Sequence, residues 1–145
     1  MNNLKEIIGN RKKVIVTGGC GFIGGALIRK FLLKTDLEVF NIDKIGYSSN
    51  EASIKKIHSD YKKTTSNRYT LIKLDLSDRD RTINAIEEIN PDIIIHSAAE
   101  THVDRSIDEP RMFLDSNIIG TFNLLEASYI HYKKLNQSRR KSFRL

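Results

Sequence analysis

Short β-branched runs alternate along this chain with stretches of helical period, and that alternation defines its elements. The run Val14-Ile15-Val16 reads as a strand, and Ile23, Leu27 and Phe31, spaced four apart, place a helix over about 22 to 34. A second run, Leu37 to Ile42, closes on Asp43 and is followed by a polar loop. The pattern then predicts a short helix near 51 to 58 and a Lys-rich connection through Arg68. Tyr69 to Leu74 is the third strand. Ser77 or Asp78 is placed to cap a helix whose apolar positions Ile83, Ile86 and Ile89 stop before Pro91. Asp92 to His96 is nearly all isoleucine, which predicts a parallel strand covered on both faces. A loop from Ser97 to Asp108 leads into a long helix starting near Pro110. It carries Phe113, Ile118, Ile119, Phe122, Leu124, Leu125 and Tyr129, an apolar surface broad enough for both the sheet and a partner helix.

Strands alternating with helices imply an α/β architecture, a Rossmann-type doubly wound parallel sheet with right-handed crossovers and the strand order 3-2-1-4. Such sheets bind ligands beyond the carboxyl ends of their strands, where the order reverses. Here those ends are the turn at Gly18, Asp43, Asp75 and the loop after His96.

The first of these ends carries the most chemistry. In Thr17-Gly18-Gly19-Cys20-Gly21-Phe22-Ile23-Gly24, a strand ends and a helix begins across three spaced glycines. Gly18 lets the chain turn off the strand, Gly21 lets backbone approach a pyrophosphate, and Gly24 lets helix and strand pack closely. The helix N-terminus adds unpaired N–H groups and partial positive charge. Asp43 lies 19 positions after Gly24, near the spacing of about 20 at which a carboxylate grips the adenosine ribose. An acid there favours NAD, because the 2′-phosphate of NADP would meet like charge. The competing reading is that Asp43 only caps a turn.

Composition narrows the class. The 145 residues suit one domain over 1–145, with 39% hydrophobic and 29% charged residues. No apolar run approaches the roughly 20 residues that span a bilayer, and the N-terminal stretch resembles no signal peptide. The single cysteine, Cys20, fits a reducing cytoplasm and a turn that wants a small residue better than a reactive thiol. The formal charge of +6 is local: six of the 24 Lys and Arg lie in the last 13 residues, where there is no acid, leaving 18 basic and 18 acidic residues elsewhere. A solvated basic tail is expected from this, rather than a nucleic-acid site. The four histidines are scattered and read as structural or surface residues, and no metal-ligand cluster is evident.

Five segments resemble the extended short-chain dehydrogenase/reductases, and within them the dTDP-glucose 4,6-dehydratases. They are Thr17 to Gly24, Asp43-Lys44-Ile45-Gly46-Tyr47, Asp75-Leu76, His96 to Ser106, and Asn117-Ile118-Ile119-Gly120-Thr121. The resemblance implies NAD contacts at Phe22 and Ile23, at Asp43, Lys44, Ile45 and Gly46, and at Asp75 and Leu76 beside the adenine. It implies further contacts at Ser97, Ala98, Ala99, Glu100, Thr101 and Ser116, with Thr101 also touching the sugar nucleotide, dTDP-glucose. Gly46, Thr101, Ser116 and Ser97 depart from the residues usual in the family; the hydroxyls at 101 and 116 survive, so Gly46 is the weakened contact. The implied chemistry is an internal redox cycle: hydride leaves carbon 4 of the glucose for NAD, water is lost across carbons 5 and 6, and the hydride returns to carbon 6. A homodimer is implied as well.

The family pattern continues with a Thr-Asp-Glu sequence after a fifth strand and a Tyr-x-x-x-Lys on the next helix. Neither occurs in its place, and Phe143-Arg144-Leu145 resembles the entry into that fifth strand. The expectation is an incomplete NAD-binding domain with no catalytic residue and no sugar-nucleotide domain, its fourth strand a bare edge prone to self-association. Tyr69 and Lys73 have the catalytic spacing but fall on a strand, about 13 Å apart. Tyr129 and Lys133 lie on the long helix but roughly 28 Å from its start. Alternatives are an NAD-binding fragment or another NAD-dependent sugar-nucleotide epimerase or decarboxylase.

Overall fold

The computed structural model describes residues 3–46, 49, 50, 52, 55 and 67–145. The expected helix near 51 to 58 and the connection after it lie outside the described residues up to position 66, apart from Ala52 and Lys55. Tyr47 and Ser48 lie outside them too.

The elements run α1 (Asn3–Ile8), β1 (Lys13–Thr17), α2 (Phe22–Lys34), β2 (Glu38–Asp43), β3 (Tyr69–Lys73), α3 (Arg79–Ile89) and β4 (Ile93–His96). They continue with α4 (Val103–Asp108), α5 (Pro110–Phe113), a π-helical stretch Leu114–Ile119, α6 (Gly120–Lys134) and α7 (Gln137–Ser142). The sheet among the described residues is four-stranded and ordered β3-β2-β1-β4, all pairs parallel. The order and the strands are those predicted, to within a residue or two at each end.

Val14 to Thr17 of β1 are buried because successive side chains point to opposite faces and both faces are covered. Val14 and Val16 join Ile28, Phe31 and Leu32 of α2 and Val39 of β2 on one side. Ile15 joins Ile86 and Ile89 of α3, Ile94 of β4 and Leu124 and Ala127 of α6 on the other. Burying each such aliphatic side chain contributes about 1.5–3 kcal/mol. Asp78, one of the two predicted caps, accepts from the Arg81 amide at 3.1 Å and starts α3. Asn90 then ends α3 in the left-handed conformation at φ 53°.

Four expectations need correction. Of the two faces of β4 only the one carrying Ile94 is fully covered; Ile93 and Ile95, on the other, are half-buried, because α2 packs over β1 and β2 instead. Its edge is not wholly bare either. The Ile94 amide donates to the Arg144 carbonyl at 2.9 Å, and Arg144 forms a parallel bridge with Ile93. The stretch predicted as a loop from Ser97 to Asp108 contains α4. Finally, the basic tail is not a solvated loop. In α7 and its flanks Arg139 donates to Asn90 Oδ1, to the Asn90 and Pro91 carbonyls and to Asp92 Oδ1, closing the sheet at the amino ends of its strands.

Candidate functional site

The glycines after β1 are forced by contact. Gly18 sits at φ 66°, and a Cβ there would lie 2.6 Å from the Cα of Ala98, so this turn and the loop after β4 touch backbone to backbone. A Cβ on Gly24 would lie 2.3 Å from the Gly18 carbonyl oxygen, so α2 starts directly against the turn. Gly21 is different: its only crowded neighbour is the Gly18 oxygen at 3.2 Å, and the space beyond it is open. Gly21 is also the N-cap of α2, with no side-chain hydrogen bond to the first turn, an arrangement suited to an anion meeting the amides of Phe22 and Ile23. Gly19, given no task from the sequence, has one: a Cβ would lie 2.2 Å from Asn41 Oδ1, which instead accepts from the Gly19 amide at 3.0 Å.

Asp43 ends β2 with its carboxylate almost fully buried. One oxygen accepts from the Cys20 amide at 2.9 Å; the other accepts from the Ile45 amide at 2.7 Å and the Ser49 hydroxyl at 3.3 Å. The turn-capping reading is therefore true of Asp43, yet a carboxylate has about four acceptor positions, and this one also forms part of the crevice wall. The bond to Ile45 holds that β-branched residue at φ 57°, a conformation costing on the order of 1–3 kcal/mol that concentrates at ligand sites.

The loop after β4 is held from two sides. Thr17 Oγ1 contacts His96 Nδ1 at 2.7 Å and accepts from the Ser97 and Ala98 amides at 3.2 and 3.3 Å. Asn117, within the π-helical stretch, accepts from the Glu100 amide at 2.8 Å and donates to the Glu100 carbonyl at 2.9 Å. The Glu100 carboxylate meets Lys44 Nζ at 2.6 Å. Burial pushes His96 below the ordinary histidine pKa.

One crevice gathers twelve of the seventeen expected contact residues, from Gly18 and Gly21 through Asp43, Lys44, Gly46, Asp75, Leu76 and the loop Ser97 to Glu100, to Ser116. Ile42, Ser49 and Leu74 complete its lining. The other five stand outside it. Gly24 is buried behind the turn, Ile45 is half-buried, Thr101 is exposed, and Phe22 and Ile23 are exposed at the first turn of α2. Tyr69 and Lys73 open and close β3, and Lys133 Nζ sits 4.7 Å over the Tyr129 ring near the far end of α6. Neither pair lines the crevice. The residues missed from the sequence are Asn41, Ser49, Thr17, His96 and Asn117. Asn41, a polar residue within an otherwise apolar strand, was the readable signal among them.

A glycine turn with no room for a Cβ at Gly18, Gly19 or Gly24, an uncapped helix start, and a carboxylate 19 positions on fit a dinucleotide chemically. The model of the family described as GDP-mannose 4,6 dehydratase matches residues 15–143. The dTDP-glucose 4,6-dehydratase of Salmonella typhimurium is 39% identical over 132 residues, which are 91% of this chain and 35% of that protein. The dTDP-glucose 4,6-dehydratase of Streptomyces venezuelae, solved with NAD and TYD bound, superposes with a TM-score of 0.70 at 31% identity, covering 82% of this chain and 36% of that one. The UDP-Glc/GlcNAc 4-epimerase of Campylobacter jejuni gives 0.71 at 28% identity, covering 83% and 34%. The chain thus spans about a third of the length of the relatives it matches.

Proposed function

Because the chain belongs to the GDP-mannose 4,6 dehydratase family, we propose that its crevice holds NAD and that it serves as the dinucleotide-binding part of a dTDP-glucose 4,6-dehydratase. Bound NAD supplies a hydride acceptor and donor for a sugar-nucleotide substrate. The residues of this chain bind and orient. The amides at the start of α2 meet the pyrophosphate, Asp43 takes a ribose hydroxyl in the one acceptor position left on the oxygen that the Cys20 amide also meets, and Leu76 flanks the adenine. Thr101 faces the sugar nucleotide. No residue of the chain is assigned to proton transfer.

The observation that carries this reading is the convergence of four strand ends on one crevice whose wall includes Asp43. Isothermal calorimetry on the 145-residue chain tests it. Saturable heat with NAD, and affinity at least tenfold weaker for NADP, is the expected result. Absence of binding by a folded sample overturns the reading.

The proposal extends to a cytoplasmic homodimer. The exposed stripe Ile118, Phe122, Leu125 and Tyr129 runs along one face of the long helix and supports pairing with the same stripe of a second copy. No helix among the described residues is long and apolar enough to cross a membrane.

A further inference from the structure

The heavy atoms around His96 admit one arrangement of hydrogens, and it is fixed from both ends. A threonine hydroxyl has one hydrogen and two acceptor positions. At Thr17 the Ser97 and Ala98 amides fill both acceptor positions, so the hydrogen is directed at His96 Nδ1, 2.7 Å away. At the other end, Thr121 Oγ1 donates to the Asn117 carbonyl at 2.7 Å, so it accepts from His96 Nε2, at 2.9 Å. The Thr121 end requires a hydrogen on Nε2 and the Thr17 end requires an accepting Nδ1; together they specify a neutral imidazole carrying its hydrogen on Nε2.

We propose that His96 is a positioning residue whose neutral Nε2–H form sets the loop Ser97–Ala98 against the glycine turn, so that one proton on His96 loosens the dinucleotide crevice. The inference rests on the crevice being a dinucleotide site. A second proton on the ring would place Nδ1–H opposite Thr17 Oγ1. To accept it, Thr17 must give up one loop amide and turn its own hydrogen away from its one acceptor. Both amides belong to crevice-lining residues, and Ala98 is the residue against which Gly18 is packed. The disturbance therefore reaches the pyrophosphate end of the site directly.

The surroundings set up this response without a charged partner. β1 meets the ring with Thr17 and α6 with Thr121, and neither carries a charge; Ser97 of the following loop, also uncharged, donates to the Thr17 carbonyl. The loop's carboxylate, Glu100, is engaged by Lys44. Burial is the cause that lowers the His96 pKa, so the neutral form prevails near pH 7 and the proton is taken up only below the ordinary histidine range.

Nitrogen-15 NMR of the histidine-labelled full chain, with parallel NAD calorimetry from pH 8 to 5, tests the inference. The expected spectrum at pH 8 has a pyridine-type Nδ1 and a pyrrole-type Nε2, and the Ser97 and Ala98 amide signals move with the His96 titration. NAD affinity should fall at least tenfold on acidification in the wild type and stay flat in His96→Gln, which has no such proton to gain. A pyrrole-type Nδ1, or loop amides that ignore the titration, overturns the proposal even if the variant does not fold. Equal pH dependence in wild type and variant also overturns it. Absence of NAD binding at every pH would defeat the dinucleotide reading instead, leaving the amide signals to decide the role of His96.

Discussion

Lys44 and Glu100, 56 residues apart in the sequence, meet across the crevice with Nζ 2.6 Å from Oε1, tying the loop after β2 to the loop after β4. The side chains are 30% and 13% exposed, so the pair is screened less than a surface pair but keeps some contact with water. In a double-mutant cycle with Lys44→Met and Glu100→Gln, urea unfolding should give a coupling of about 1 kcal/mol that shrinks in high salt. Coupling indistinguishable from zero would mean that each loop is held separately, the loop after β2 by Asp43 and the loop after β4 by Thr17 and Asn117.

The glycine turn separates stability from binding. Gly18→Ala places a methyl 2.6 Å from the Ala98 backbone at a positive φ and should cost more than about 3 kcal/mol or prevent folding. Gly21→Ala meets only the Gly18 oxygen, at 3.2 Å, so its melting temperature should change little while NAD affinity drops at least tenfold. Thermal melts and calorimetry on the two variants check the contrast, and similar destabilisation by both would contradict it.

Stability should fall in mild acid. Burial is the leading cause that lowers the pKa of both His96 and His131; the His131 Nε2–H donates to the Pro91 carbonyl at 2.9 Å. The unfolded chain therefore binds more protons than the folded one once pH drops below about 6.5. The histidine contribution is complete above that value and is lost as pH falls toward the folded pKa values. Asp92 acts lower: burial works to raise its pKa, but the Lys12 and Lys13 amides and Arg139 outweigh it. Its contribution persists until pH drops below the ordinary aspartate range. Urea midpoints should decline between pH 7.5 and 5; a flat profile would contradict the histidine assignment.

Arg139→Met removes the bonds that tie α7 to Asn90, Pro91 and Asp92 and leaves a half-buried carboxylate without its cation. A loss of about 2 kcal/mol is expected by chemical denaturation. No loss would mean that the bridge from Arg144 to β4, the bond from Arg11 to the Ser142 carbonyl and the packing of Phe143 seat the C-terminal segment without Arg139.

The stripe on α6 and the stretch before it predicts concentration-dependent association. Phe122→Glu with Leu125→Glu should give a monomer in sedimentation equilibrium without lowering the melting temperature, since both positions are more than half exposed. A wild type that remains monomeric at high concentration would count against the homodimer.

The alternation of β-branched runs and helical periods made the sheet order and the crevice legible, because both depend on local pattern. What escaped depends on contacts distant in sequence. α7 has no apolar face to announce it, and Arg139 holds it to residues nearly 50 positions earlier. α4 buries no residue, and its two apolar positions, Val103 and Ile107, are too few to mark a helix within a polar segment. The task of Gly19 follows from Asn41, 22 positions on, and the tautomer of His96 follows from two threonines on different elements. Asp43 was placed correctly, but its turn-capping bonds are visible only once the loop after it is folded.

The π-helical stretch Leu114–Ile119 changes the phase of the long helix partway along. Upstream of Gly120 the shaft presents Ser116 to the crevice and Asn117 to the Glu100 backbone, and downstream it presents Leu124, Ala127 and His131 to the interior. Removing one residue from the wide turn would rotate the upstream half by about 100° against the downstream half. Asn117 would swing away from Glu100 while the interior contacts stayed in place, so a single widened turn lets one rod serve two bearings.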